Sequence, residues 1–146
     1  LSGIIQTIPF KADGTAVVAS AVTAATQTQM EAASDNTVMG TPSNIKWHPG
    51  VAKAASYVTY SGGVPTLAAN INIASIVDEA VGDVTHNFTT AFSTVNYFMA
   101  SSTDNPDYIC NVRAAGRATG SVRVKVHDTA GAAADIGFSI VIHGDF

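Results

Sequence analysis

The side chains best suited to metal binding or nucleophilic chemistry are four histidines and a single cysteine. The histidines are His48, His86, His127 and His143. No two of them have the spacing of a HExxH or HxH metal motif, and one cysteine completes neither a zinc site nor an intrachain disulfide. Cys110 lies in an apolar run typical of a strand, so we expect it to be a small buried hydrophobe. These residues predict no metal site and no cofactor.

His86 is the histidine whose neighbours indicate where it lies in the fold. It alternates with Val84 and Phe88, so in a strand its side chain faces inward with theirs. Two interpretations stay open. It is either a core or interface histidine, or a metal-binding or catalytic one; as an ion ligand near a threefold axis it would need three chains.

Three carboxylates, those of Asp78, Glu79 and Asp83, flank the turn predicted around Gly82. Converging carboxylates catalyse proton transfer or bind calcium. Carboxylates beside a glycine turn are commonly solvated, so we expect these three to be exposed turn residues. The chain also lacks the GxSxG, GxGxxG and GxxxxGKS/T motifs. We therefore expect no enzymatic activity and assign no catalytic residue.

Basic and aromatic side chains are the remaining candidates for binding. Four of the seven basic residues lie between positions 113 and 125, and a hairpin there would place them on one face. Such a face is either merely solvated or a patch for anionic sugars or a partner protein. Two tyrosines border turns and are candidates for exposed contacts with sugars. The candidate binding residues are Tyr60, Tyr108, Arg113, Arg117, Arg123 and Lys125.

The composition limits which classes of protein fit these residues. The chain has 146 residues, a mass of 15.0 kDa, a net charge of −4 and a pI near 5.3. Those values argue against nucleic-acid binding, and no apolar run approaches the roughly 18 residues of a membrane-spanning helix. Only 12% of residues are charged, whereas about 25% is usual, so we expect other chains to cover part of the surface. The chain opens with Leu1 instead of Met and shows no signal-peptide pattern, so we expect a processed chain or a fragment.

From residue 54 onward the apolar pattern has a period of two. The run from Ser121 to His127 places valines on one face and polar groups on the other, which is typical of a half-buried antiparallel strand. The run from Phe138 to His143 is more apolar, and we expect cover on both of its faces. We predict a mainly β fold for residues 51–146, an antiparallel β-sandwich of about seven strands. The predicted strands span 56–60, 71–77, 84–89, 95–100, 108–114, 121–127 and 138–143.

Residues 1–50 form the predicted N-terminal arm, which is extended or short-helical. Thr28 with Glu31 predicts a capped short helix, and Thr41-Pro42 predicts the start of a second one. We expect Trp47 to pin this junction onto the sandwich. The predicted junction residues are Thr41, Pro42, Trp47, His48 and Pro49.

Three segments carry a resemblance to a known family. Residues 25–42 have the sequence ATQTQMEAASDNTVMGTP, HPGVAKA follows at 48–54, and GDVTHNFTTAF at 82–92 precedes Asn96-Tyr97. In this order they resemble motifs of bacteriophage and prophage tail-fibre proteins, over roughly residues 24–100. The chain departs from the family at His86, where an aliphatic residue is usual, and at Ala55, where a tryptophan is common.

The resemblance implies a virion fibre or spike protein on the outside of the particle, on its head or its tail. Proteins of this kind are usually homotrimers. Their N-terminal part binds other virion proteins or continues a shaft, and their C-terminal β-domain contacts a glycan or protein of the host surface. Two alternatives remain, a purely structural virion component without receptor binding and a carbohydrate-binding module. The N-terminal 50 residues favour a virion protein over a free module, because a free lectin needs no anchoring arm.

Overall fold

The computed structural model describes residues 23–32, 38–42, 45–48 and 50–145. From residue 54 the chain forms eight strands: β1 (Ala54–Ser61), β2 (Val64–Ile71), β3 (Ile73–Ala80), β4 (Asp83–Phe88), β5 (Phe98–Thr103), β6 (Tyr108–Ala118), β7 (Ser121–Asp128) and β8 (Phe138–His143). They make two antiparallel sheets, sheet I in the order β2-β1-β8-β5 and sheet II in the order β3-β4-β7-β6. The predicted mainly β, antiparallel sandwich is confirmed, with eight strands instead of seven.

The inner faces of the two sheets form the core. In β7, Val122, Val124 and Val126 are fully buried and alternate with half-buried polar residues, as the period of two predicted. From sheet I, the inner residues Phe138 and Ile140 of β8 are equally buried. Burying each such side chain contributes about 1.5–3 kcal/mol. The outer residues of β8 are half-buried, so the cover expected on both of its faces is only partial.

The strand that sequence patterns missed is β2. It begins beside Pro65, directly after the Gly62-Gly63 turn, and both features usually indicate a loop. The predicted strand 71–77 is a corner, because Asn72 separates β2 from β3 with a left-handed φ of 55°. The side-chain oxygen of Asn72 accepts the Thr90 N–H at 2.7 Å, and its amide nitrogen donates to the Thr90 carbonyl at 3.0 Å. These two bonds fix the corner where the chain passes from sheet I to sheet II.

A short helix, α1 (Gln27–Ala32), precedes the sandwich. Its cap is Thr26, whose Oγ1 accepts the Gln29 N–H at 3.3 Å while Gln29 Oε1 accepts the Thr26 N–H at 2.9 Å. The predicted cap at Thr28 with Glu31 is therefore wrong by two residues. Both pairs have the spacing of a capping box, so the pattern alone does not choose between them.

In the part of the junction that the structure describes, the predicted second α-helix does not form. Thr41-Pro42 is followed by a single 3-10 turn, Ile45–Trp47, whose first N–H donates to the Thr41 carbonyl at 2.9 Å. The carbonyl of His48 accepts a bond of 3.3 Å from the ammonium of Lys53, a residue that is buried at the start of the sandwich. Outside the described residues lie positions 1–22, Pro49 and the side chain of Trp47, and with them much of the predicted arm.

Candidate functional site

The carboxylate of Asp83 lies between two arginines of the predicted basic patch, Arg113 and Arg123. Arg123 donates to it twice, from Nε to Oδ1 at 2.8 Å and from Nη2 to Oδ2 at 3.1 Å. The Nε of Arg113 lies 3.1 Å from the same Oδ2. Because the two arginines cover it, Asp83 is only 3% exposed, and the prediction of a solvated turn carboxylate is wrong for this residue.

Glu79 extends this group of charges along the outer face of sheet II. Its Oε2 lies 3.6 Å from Arg123 Nη1, and its Oε1 accepts the Thr85 hydroxyl at 2.7 Å. The hydrogen bond to Asp83 raises the pKa of Arg123. Since carboxylates of the same chain already engage Arg113 and Arg123, these two arginines are poorly placed to bind an anionic ligand. Lys125 is half-buried on the same face of β7 and has no salt bridge within the described residues.

The two candidate tyrosines are less open than the sequence suggested. Tyr60 packs against the core, and its hydroxyl is buried without a hydrogen-bond partner in the described part of the chain. This burial raises its pKa. The prediction of an exposed contact is therefore wrong for Tyr60. Tyr108 also packs against the core but remains half-exposed, so its binding role stays a prediction.

The fourth basic candidate, Arg117, lines an open cleft of about 480 Å³. Phe98, at the start of β5, is 80% exposed beside it. Within the described residues Arg117 forms no salt bridge, unlike Arg113 and Arg123. We name this feature the Phe98 cleft. Its lining residues are Val95, Asn96, Tyr97, Phe98 and Arg117.

Phe98 was not among the candidates from the sequence, although a signal was present. Tyr97 and Phe98 are adjacent aromatics at a strand, and successive side chains of a strand point to opposite faces. If one ring is buried, the other is exposed. The predicted strand 95–100 includes both residues and places their rings on opposite faces, whereas in the structure β5 begins at Phe98 and Tyr97 directly precedes it.

A cluster of buried rings holds the cleft in place. Tyr97 is 4% exposed, and its ring centroid lies 4.8 Å from that of Phe92 and 5.9 Å from that of Phe88. Its hydroxyl lies 3.0 Å from the Ser121 carbonyl and 3.3 Å from that of Ala118, which accept its proton. Because its ring contacts and its hydroxyl hydrogen bonds hold Tyr97 inward, the next residue, Phe98, points outward. The guanidinium carbon of Arg117 lies 5.8 Å from the Tyr97 ring centroid, so the same ring also orients the cation.

The cleft combines two groups that recognise sugars. An exposed aromatic ring stacks on the apolar face of a pyranose, and an arginine donates forked hydrogen bonds to hydroxyls or to a carboxylate. It contains no nucleophile beside a base and no pair of carboxylates, so its groups suit binding. Within the described residues, no three His, Cys, Asp or Glu side chains lie close enough to hold a metal ion.

His86 and Cys110 lie inside the sandwich. The Cys110 thiol is buried, as predicted, and burial raises its pKa to about 12. His86 is fully buried, and its ring packs edge-on against Phe138 with centroids 5.8 Å apart. Because it points between the two sheets of its own chain, it is not placed to reach an axis shared with other chains. The interpretation of His86 as an interchain ion ligand is therefore wrong.

No helix in the described part of the chain is long and apolar enough to cross a membrane. No protein-family model matches the sequence, and neither a curated protein nor a solved structure matches the chain.

Proposed function

We propose that this chain is a virion fibre or spike protein whose β-sandwich attaches to the host surface by binding a glycan in the Phe98 cleft. The observation that carries this proposal is the pairing of an 80% exposed phenylalanine with an arginine that has no salt bridge among the described residues. The resemblance of residues 25–42, 48–54 and 82–97 to tail-fibre motifs supplies the biological setting.

The same proposal covers assembly and location. The chain is a homotrimer on the outside of the virion, and residues 1–50 bind other virion proteins or continue a shaft. It is not an enzyme and needs no cofactor, since the cleft contains groups for binding only. The glycan partner carries hydroxyls, and where it is acidic its carboxylate pairs with Arg117.

One observation favours the second candidate, a purely structural virion component. Asp83 and Glu79 engage Arg113 and Arg123, so two of the four basic residues of the predicted patch form ion pairs within the fold. In a virion protein that binds no receptor, these ion pairs would serve only to stabilise the fold. A carbohydrate-binding module outside a virion would share the cleft but would not need the N-terminal arm.

The Phe98 cleft is tested by the change Phe98→Ala. We expect about a tenfold loss of affinity for the bound glycan, because the stacking ring is removed from an exposed position that carries no core contact. Arg117→Gln is expected to weaken binding of acidic glycans more than binding of neutral ones. The measurement is binding of the purified protein to an array of bacterial surface polysaccharides.

Ile109→Ala is the matched control, since Ile109 is an exposed hydrophobic residue of β6 away from the cleft. It should leave binding unchanged. If the unmodified protein binds no glycan on the array and does not block phage adsorption, the attachment function is contradicted. If it binds and Phe98→Ala binds equally well, the site lies elsewhere on the surface.

A further inference from the structure

The edge strand β6 is interrupted by a bulge, which we name the β6 bulge, at residues 113–116. All of these residues lie opposite Arg123 of β7, where a regular antiparallel pair has a single residue. Beyond the bulge Arg117 stands opposite Val122, a place that Ala114 would hold in an uninterrupted ladder. The bulge therefore decides which side chain of β6 lies beside the start of β5.

Two residues hold the backbone of the β6 bulge in an uncommon conformation. Ala115 has a φ of 55°, in the left-handed region that residues with a Cβ rarely adopt. At Gly116 an added Cβ would lie 2.8 Å from the Arg123 carbonyl oxygen and 2.9 Å from that of Arg113, so only glycine fits this close approach. Bulges of this kind are frequent beside binding sites, where they redirect a side chain.

The side chain that the β6 bulge redirects is that of Arg117. Residues directly opposite in an antiparallel pair extend to the same face of the sheet, and Val122 is fully buried in the core. Arg117 therefore extends from the inner side of sheet II, and its guanidinium carbon lies 5.8 Å from the centroid of the inward-facing Tyr97 ring. Arg113 and Arg123 lie with their carboxylate partners on the outer side of the same sheet.

This placement brings Arg117 to the Phe98 cleft without an ion-pair partner among the described residues. The strands of sheet I, to which Phe98 belongs, contain no Asp or Glu. They therefore bring no carboxylate to the cleft that would neutralise the guanidinium or repel an anionic ligand. The positive charge of Arg117 is left for a ligand that also contacts the exposed ring.

We propose that the glycan of the Phe98 cleft is acidic, a sugar with a carboxylate or phosphate group that pairs with Arg117 while its apolar face stacks on Phe98. This inference rests on the proposed function for the presence of a glycan, and it adds the chemical class of that glycan and a positioning role for the β6 bulge. A guanidinium binds carboxylate or phosphate oxygens through two parallel hydrogen bonds. Because the bulge and the Tyr97 ring orient the guanidinium in advance, less freedom is lost when the ligand binds.

An inward-directed charge on an edge strand has a second known use, which is to prevent pairing with another chain. That use requires only a charge and no exposed ring beside it. Phe98 is 80% exposed and lines the same cleft as Arg117. A ligand with both an apolar face and an anionic group accounts for the two residues together.

The ligand class is tested by comparing each acidic polysaccharide of the bacterial array with a neutralised form of itself. Carboxyl reduction converts uronic acids into neutral hexoses, and phosphatase removes terminal phosphate groups, so the two treatments distinguish a carboxylate from a phosphate. We expect the acidic form to bind about tenfold more tightly than its neutralised form. Arg117→Gln should abolish this preference, and Arg117→Lys, which keeps the charge but not the fork, should retain only part of it.

Gly116→Ala tests the β6 bulge while Arg117 itself is unchanged. The added Cβ meets two backbone oxygens, so the bulge must shift and Arg117 must move with it. We expect this variant to lose most of the preference for the acidic form and to keep the binding of the neutralised form through Phe98. Gly120→Ala is the matched control, because a Cβ there has no atom within 4 Å. Circular dichroism checks that each variant is folded.

The outcomes separate this inference from the attachment function. Equal binding of the acidic and neutralised forms by the unmodified protein overturns the ligand class and leaves attachment standing. A preference that Arg117→Gln retains belongs to another cation and also overturns the inference. A preference that folded Gly116→Ala retains in full contradicts the positioning role of the bulge. If no glycan of either form binds, the attachment function fails and the acidic ligand fails with it.

Discussion

Lowering the pH from about 7 to about 4 is expected to reduce the free energy of unfolding by about 3 kcal/mol through His86 alone. The ring is fully buried, and neither nitrogen has a hydrogen-bond partner among the described residues. Burial lowers the His86 pKa from 6.5 to about 4, because a charged imidazole has no stabilising group in this apolar core.

The direction of the effect follows from proton binding. Below about pH 6.5 the unfolded chain takes up a proton at His86, while the folded chain does not until the pH nears 4. The unfolded state is therefore favoured progressively as the pH falls through this window. Above it both states hold a neutral ring, and the stability from this group is complete.

Urea unfolding of the unmodified protein and of His86→Leu, at several pH values, isolates this contribution. The difference between the two curves removes the carboxylates that also titrate in acid. We expect His86→Leu to be as stable as the unmodified protein or slightly more so near pH 7, and to gain on it steadily toward pH 4. His127→Gln, at a half-buried histidine, is the control. Parallel curves for the unmodified protein and His86→Leu would contradict the prediction.

Replacing Asp83 by asparagine is expected to destabilise the fold by about 2–3 kcal/mol. The carboxylate is nearly inaccessible and accepts two charged hydrogen bonds from Arg123. The amide keeps the shape but removes the charge, so Arg113 and Arg123 are left close together without their shared counter-charge. Both arginines are partly exposed and regain some hydration, which keeps the loss below that of a fully buried pair.

Thermal unfolding at pH 7 measures this loss, with Asp107→Asn as the control at an exposed carboxylate. The control should change stability by less than about 0.5 kcal/mol. A double-mutant cycle of Asp83→Asn with Arg123→Gln should give a coupling energy above about 1 kcal/mol. Additive effects of the two changes would show that the ion pair contributes nothing beyond its separate residues.

Features that depend on local periodicity were predictable from the sequence. The alternation in β7, the inward direction of His86 and the burial of Cys110 all follow from a period of two. The strand β2 was not predictable from the sequence, because Pro65 and the two glycines before it are typical of a loop. Only its pairing with the neighbouring β1 makes it a strand. Likewise Thr26 and Thr28 both begin a capping-box pattern, and only the folded chain distinguishes them.

The candidate site depended on contacts between distant parts of the chain. Asp83 is 40 residues from Arg123, and nothing local shows that they pair. The exposure of Phe98 depends on Tyr97, whose hydroxyl bonds to carbonyls 21 and 24 residues away. Sequence reasoning therefore found the basic residues but not which of them remain available, and Arg117 alone of the four lines the cleft.

The order of strands in sheet I has a consequence for how the chain folds. Its two central strands are β1 and β8, the first and last of the sandwich, paired from Ala54 with Ile142. All four strands of sheet II lie between residues 73 and 128, so they can pair without either of these two. Sheet I needs β8 and the closure of a long loop between its two central strands. We therefore expect the central pair of sheet I to form late in folding, after sheet II has assembled.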